Sequence, residues 1–256
     1  MKAKYWVTGT KEVLLAVALL FGTQAAAQTT FAPDHYISYK IKTLGLATHD
    51  ISLQDKFISW TEFRVSTPSR LLNPAIKIHN GNTIDINNPD LHYALYNLKN
   101  PEGDITVNQA IQVSNQFGEF NINQLTVAHL LVPSQSLLPF TISSDDPLAN
   151  SEHYLCYDIP ETAVTVAQEG TVSDEFRTRD FIVTKAKHLC VPTAKIHHEK
   201  LYNIQNDVAT NNLMCFSLAK KRILKFLTLV NQFSSKGVMV TKDKELCLPS
   251  TVTIPD

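Results

Sequence analysis

The feature that most constrains this chain is a plan that recurs four times. Its openings fall at His35, His92, His153 and Asn212, steps of 57, 61 and 59 residues. A central aromatic follows at Phe57, Phe117, Phe176 and Phe233, and a closing proline at Pro74, Pro133, Pro192 and Pro249. From central Phe to closing Pro the distance is 17, 16, 16 and 16 residues, a regularity that chance apolar runs would not give. A period of this size means like supersecondary units. A unit of ~45 residues is near the limit at which its own core suffices, so neighbouring units must share cores.

The units span 34–77, 90–136, 151–195 and 211–250. Each opens on a segment of period two: Tyr36, Ser38 and Lys40 alternate with Ile37, Tyr39 and Ile41, and Tyr154, Cys156 and Asp158 with Leu155, Tyr157 and Ile159. Alternation with aromatic and β-branched residues reads as a half-buried strand. The central and final segments share that character, and the closing proline is expected where a strand ends, since it cannot donate a ladder hydrogen bond. Leu218–Val230 also suits a short helix by composition, but the repeat alignment favours a turn and then a strand. The expected fold is all-β: four related small units packed in pairs, sandwich-like or barrel-like. A four-bladed propeller is the rival, and it would close unit one against unit four. The expected organisation is a first pair over 28–136, a linker over 137–150 and a second pair over 151–256.

The four cysteines occupy only two repeat positions, the opening strand (Cys156, Cys215) and the residue two before the closing proline (Cys190, Cys247). Four cysteines allow three connectivities. Units one and two carry Ser38 and Leu72, and Leu95 and Leu131, at these positions, so both cysteines are absent together or present together. That co-occurrence predicts Cys156–Cys190 and Cys215–Cys247, one staple per unit. No C-x-x-C spacing exists to suggest zinc or redox chemistry.

The N-terminus explains why disulfides would persist. Lys2, Lys4 and Lys11 precede an apolar run over Val13–Phe21, and Ala25-Ala26-Ala27 offers small side chains to a signal peptidase. This three-part pattern predicts a cleaved secretory signal over residues 1–27 and a secreted or periplasmic product in an oxidising compartment. The run is too short to span a bilayer. Lys plus Arg is 23 against Asp plus Glu of 24, which offers no broad basic field for nucleic acid.

Few residues suggest chemistry. His35, His92 and His153 share one repeat position and could converge on a metal, but they lie one per unit, as structural hydrogen-bonding residues would. His197-His198-Glu199 resembles a ligand cluster, yet adjacent side chains on an extended segment point apart. Asp145-Asp146 is a lone acidic pair in a polar connector. There is no G-x-S-x-G or G-x-G-x-x-G motif. Catalytic, cofactor-binding and metal residues are therefore expected to be none, with no cofactor. The tyrosine pairs Tyr36/Tyr39, Tyr93/Tyr96 and Tyr154/Tyr157, together with Trp60, could stack on ligands; their spacing puts at least one of each pair in the core.

Taken together, His153-Tyr154-Leu155-Cys156-Tyr157, Asn231-Gln232-Phe233, Leu189-Cys190-Val191-Pro192 and Leu246-Cys247-Leu248-Pro249 resemble a domain-of-unknown-function repeat family found in tandem in exported bacterial proteins. The likeness covers the second half well and the first half weakly, where Ser38, Leu72, Leu95 and Leu131 depart from it at the cysteine positions. The resemblance implies export and a β-rich repeat, and no activity. The functional expectation is a non-catalytic exported module that binds a protein, a glycan or an envelope surface. The alternative is a secreted hydrolase using connector carboxylates or histidines.

Overall fold

A computed structural model describes residues 33–43, 45, 47–139, 148, 151–205 and 208–255. The expected signal segment, Asp145-Asp146 and most of the 137–150 linker lie outside the described residues. Unit one contributes β1 (His35–Thr43), β2 (His49–Gln54), β3 (Thr61–His79) and β4 (Asn82–Ile84). Unit two contributes β5 (His92–Lys99), β6 (Thr106–Val107), β7 (Ile111–Asn115), β8 (Gly118–Ile122) and β9 (Leu125–Leu137). Unit three contributes β10 (Tyr154–Asp158), β11 (Thr165–Ser173), β12 (Thr178–Pro192), β13 (Ala194–His197) and β14 (Lys200–Tyr202). Unit four contributes β15 (Asn212–Leu218), β16 (Arg222–Asn231) and β17 (Ser234–Thr253). The protein is all-β, as expected, and Leu218–Val230 is a turn followed by a strand.

The opening and closing strands alternate around a closed antiparallel ring, in the order β1, β3, β5, β9, β10, β12, β15, β17 and back to β1. Each unit pairs with both neighbours, and unit one closes on unit four through β1 and β17. The eight opening and closing strands of the four units are thus joined in one hydrogen-bonded ring. The closure expected of a propeller is present, but through continuous hydrogen bonding between units instead of separate blades.

Two apolar layers sandwich the ring wall. Tyr36, Leu72, Tyr93, Leu95, Leu131, Tyr154, Leu213 and the four cysteines fill the interior. Ile37, Tyr39, Tyr96, Leu155, Tyr157 and Phe216 belong to the larger outer core. Both faces of the opening strands are buried, where alternation alone suggested one. All six paired tyrosines are buried, each contributing roughly 1.5–3 kcal/mol by area. Ser38 faces Leu72, Leu95 faces Leu131, Cys156 faces Cys190 and Cys215 faces Cys247 in direct cross-strand register. Both disulfides are formed, each within its unit.

Of the closing prolines only Pro192 ends a strand, as expected, being the last residue of β12. Pro74, Pro133 and Pro249 lie inside β3, β9 and β17, and β13 begins two residues after Pro192. Each marks where the chain leaves the ring wall for the outer layer, a point at which no donor is needed. The tail beyond it pairs with the central strand of the unit two further round: β3 with β11, β9 with β16, β13 with β2, and β17 with β7. Gly170 permits one such approach, because a Cβ there would sit 2.5 Å from the Ile78 carbonyl oxygen.

The central Phe is positioned by an Asp or Asn two residues before it. The Oδ1 of Asp55, Asn115, Asp174 and Asn231 accepts the backbone N–H of Phe57, Phe117, Phe176 and Phe233 at 2.8, 2.8, 3.0 and 3.0 Å. This side-chain turn aims each Phe at the aromatic four residues after the opening position of the unit two further round. The pairs are Phe57–Tyr157, Phe117–Phe216, Phe176–Tyr39 and Phe233–Tyr96, with ring centroids 5.1–5.5 Å apart. Tyr157 donates to Asp55 Oδ2 at 2.7 Å and Tyr96 to Asn231 Oδ1 at 3.2 Å.

Two outcomes follow. The double substitution Cys156→Ala/Cys190→Ala releases a bridge of sequence separation 34 and should lower stability by roughly 3.5–4 kcal/mol. Because the ring is shared, urea denaturation should show one transition shifted as a whole, and a separately melting third unit would contradict this. Tyr157→Phe should cost about 1–3 kcal/mol by leaving the Asp55 carboxyl short of a donor. The same denaturation curves would read it.

Candidate functional site

The repeated histidines do not converge. Each opening residue is instead held by the residue just before the next unit's central Phe. Gln116 meets His35, Glu175 lies 4.0 Å from His92, and Gln232 meets His153. Lys56 closes the circle by donating to Asn212 Oδ1 at 3.2 Å. Burial drives the imidazole pKa values down, to about 3 at His35 and about 4 at His92, and well below the ordinary value at His153. Neutral rings held by neighbouring side chains, as His35 is by Gln116 and His153 by Gln232 and Lys195, fit a structural role.

One mouth of the ring is a charged network. Arg70 pairs with Glu245, His188 Nδ1 lies 2.8 Å from Asp158, His188 Nε2 lies 3.3 Å from Glu245, and the His129 and His188 rings are 5.0 Å apart. A cavity of about 660 Å³ opens here, with Lys187, Lys220 and Lys244 on its lining. Burial alone would lower the His188 pKa, but the Glu245 charge and hydrogen bonding to Asp158 and Glu245 raise it to about 9. Burial would raise Glu245, yet His188 and Arg70 hold it at about 2. A protonated imidazole between two carboxylates is an ion pair and a poor metal ligand, so the trio His129, Asp158 and His188 reads as a seal on the ring.

On the outer layer, His49, His197 and His198 each place one nitrogen within 4.8 Å of the others. The expectation that adjacent residues diverge fails here because His198 and Glu199 hold φ of 48° and 63°, the turn between β13 and β14. That turn folds the His198 ring back to 4.0 Å from His197. Phe233 stacks on His49 at 4.7 Å and takes His197 edge-on at 4.8 Å. Burial, then the neighbouring cations and imidazoles, lower the pKa of His49 and bring His197 to about 4. His198 also lines a cavity of about 770 Å³ with Asp50, Arg64 and Lys99. The sequence signal was half present: His197-His198 stood out, but His49 could not be joined to them without knowing that β2 pairs with β13.

A fourth feature, not anticipated, is a row of cations across four strands. Arg70 faces Lys40, Lys40 faces Lys242, and Lys242 faces Arg222. Directly opposed like charges destabilise a sheet, and among the described residues only the first is matched by an ion pair, with Glu245. The next row sets Lys42 against Met239 and Met239 against Phe226. Phe226 is 59% and Leu224 65% exposed. A groove of about 580 Å³ lies between, lined by Lys40, Lys42, Arg222, Ile223, Leu224, Thr241 and Lys242. Trp60 is exposed elsewhere, on the first unit.

The mouth network sets a pH dependence. The Glu245 contribution is present above its ordinary pKa of 4.5 and lost as pH falls through about 2; that of His188 is full below 6.5 and lost as pH rises through about 9. Glu245→Gln should therefore cost on the order of 3–5 kcal/mol between those ordinary values. Urea curves at pH 5.5 and 9.5 should show the deficit shrinking at the higher pH.

No curated protein and no solved structure matches the chain. Residues 100–249, more than half of its length, match the family described as a repeat of unknown function, DUF7450. That span takes in most of unit two and the ring strands of units three and four as far as Pro249, so the chain belongs to this repeat family.

Proposed function

We propose that this protein is an exported, non-catalytic module that docks on an anionic envelope surface through the β1–β17–β16 face. The carrying observation is the row of opposed cations beside exposed apolar side chains. Lys40, Lys242 and Arg222 repel one another across neighbouring strands, a cost that an anionic surface removes. Leu224 and Phe226 stand out of the same edge, where they can enter an interface that the cations bring close. The chain as a whole is near neutral, at −1, so the local excess is a matter of placement and not of composition. The two disulfides suit an oxidising compartment, and the expected N-terminal signal supports delivery there. The ring supplies a rigid support for the face.

Co-sedimentation with vesicles tests this reading. Vesicles of phosphatidylglycerol and phosphatidylcholine should retain the protein, and pure phosphatidylcholine should not. Binding should fall with salt. Lys242→Glu should weaken it at least about fivefold, from roughly 1 kcal/mol for each basic residue near an anionic surface. Leu224→Ser/Phe226→Ser should weaken it without changing the salt dependence. Equal retention on both lipids, or no effect of Lys242→Glu, would remove the proposal. Binding to an anionic glycan array with no vesicle retention would replace the membrane with a glycan as the partner.

A further inference from the structure

We infer that His49, His197 and His198 form a binding site for one divalent first-row transition cation of the zinc class. The argument rests on a comparison the protein makes with itself. Units one and three carry equivalent hairpins after their closing prolines. Lys77, His79, Asn80 and Gly81 stand three, five, six and seven residues beyond Pro74; Lys195, His197, His198 and Glu199 stand at the same distances beyond Pro192. The equivalence is physical as well. Lys77 lies over the Phe117 ring at 4.8 Å and Lys195 over Phe233 at 4.9 Å. His79 packs edge-on to Phe117 at 5.3 Å, as His197 does to Phe233. Asn80 and Gly81 hold φ of 49° and 76°, close to the 48° and 63° of His198 and Glu199.

The two copies differ in what surrounds the shared histidine. In the first, His79 Nε2 meets Gln168 Oε1 at 3.0 Å, and the turn is Asn-Gly, the pair that adopts positive φ most readily. That site is satisfied by its own side chains. In the second, the position of Gln168, six residues before the turn-forming Asp, is His49. The Asn is His198. Both changes bring in an imidazole, and the second does so in a left-handed conformation that histidine adopts less readily than asparagine followed by glycine. The amide partner is lost with nothing in its place: His197 Nε2 is buried and has no hydrogen-bond partner among the described residues. A bound cation would satisfy such an atom.

The donor set selects the ion. Three imidazoles suit zinc, copper or nickel and offer little to calcium or magnesium, which require oxygen ligands. Tetrahedral zinc with Zn–N of 2.0–2.1 Å places its ligand nitrogens roughly 3.4 Å apart. The present nitrogens lie within 4.8 Å of one another. Rotation of the exposed His198 ring closes the difference, while Phe233 holds the other two rings. The fourth position is left to solvent.

Cobalt titration of the full chain, disulfides intact, followed by zinc competition, tests the site. One Co²⁺ per chain should bind with the intense visible absorption of four-coordinate cobalt, and zinc should displace it. The substitution His49→Gln/His198→Asn rebuilds the residues of the sister hairpin, so it should keep the fold by circular dichroism. It should weaken binding by about tenfold or more. His79→Gln, in the sister copy, should leave binding unchanged. Cobalt that keeps the weak spectrum of its hydrated ion, or an unchanged titration in the double variant, would overturn the assignment.

Discussion

The hydrogen bonds between β1 and β17 are the constraint on which everything else rests. They join residues about 200 positions apart, with Thr241 reaching the Lys40 carbonyl across a separation of 201. Without them the eight ring strands would be an open sheet with two bare edges, each a template for aggregation. With them the interior becomes a sealed volume that tyrosine, leucine and cystine fill from every side. The outer layer then has a complete wall to cover, and each tail finds its partner two units away.

Much of this was legible in the sequence, for reasons that can be named. The period was visible because each copy must present the same aromatic to the same kind of neighbour, so Phe57, Phe117, Phe176 and Phe233 keep their spacing. The staples were legible because Cys156 and Cys190 sit directly opposite on neighbouring strands, so that either cysteine is useful only with the other. The [DN]-x-F pattern is a turn written in a single side chain. What could not be read is the exchange between units two apart. Periodicity records what each unit is, and says nothing about which other unit covers it. For the same reason the burial of both strand faces was missed: period two looks alike whether the second face meets water or a neighbour's hairpin.

The ring is four-fold in backbone and only two-fold in chemistry. Units one and three carry buried lysines at Lys77 and Lys195 and the histidine-bearing hairpins. Units two and four place Ser136 and Val252 at the lysine position. The cysteines follow a different division, between the first half and the second. Apolar residues recur at the core positions of every copy, because the shared interior must be filled, while polar detail differs from unit to unit. Features that occur at one place around the ring, the cation row between units four and one and the three histidines between units one and three, therefore stand out against the equivalent places as background.

The crossing of tails has a consequence for how the molecule comes into being. The central hairpin of unit one is covered by a strand from unit three, and that of unit two by the last strand of the chain. Units one and two therefore cannot be completed in the order in which they are synthesised, whereas the covers of units three and four, β3 and β9, already exist when β11 and β16 emerge. The aromatic turns of the first two units precede their cover in the chain, so the outer layer over Phe57 and Phe117 has to wait for β13 and β17. Such a topology makes the finish of the early units depend on the late ones, so a loss in β13 or β17 is felt in the first half of the chain.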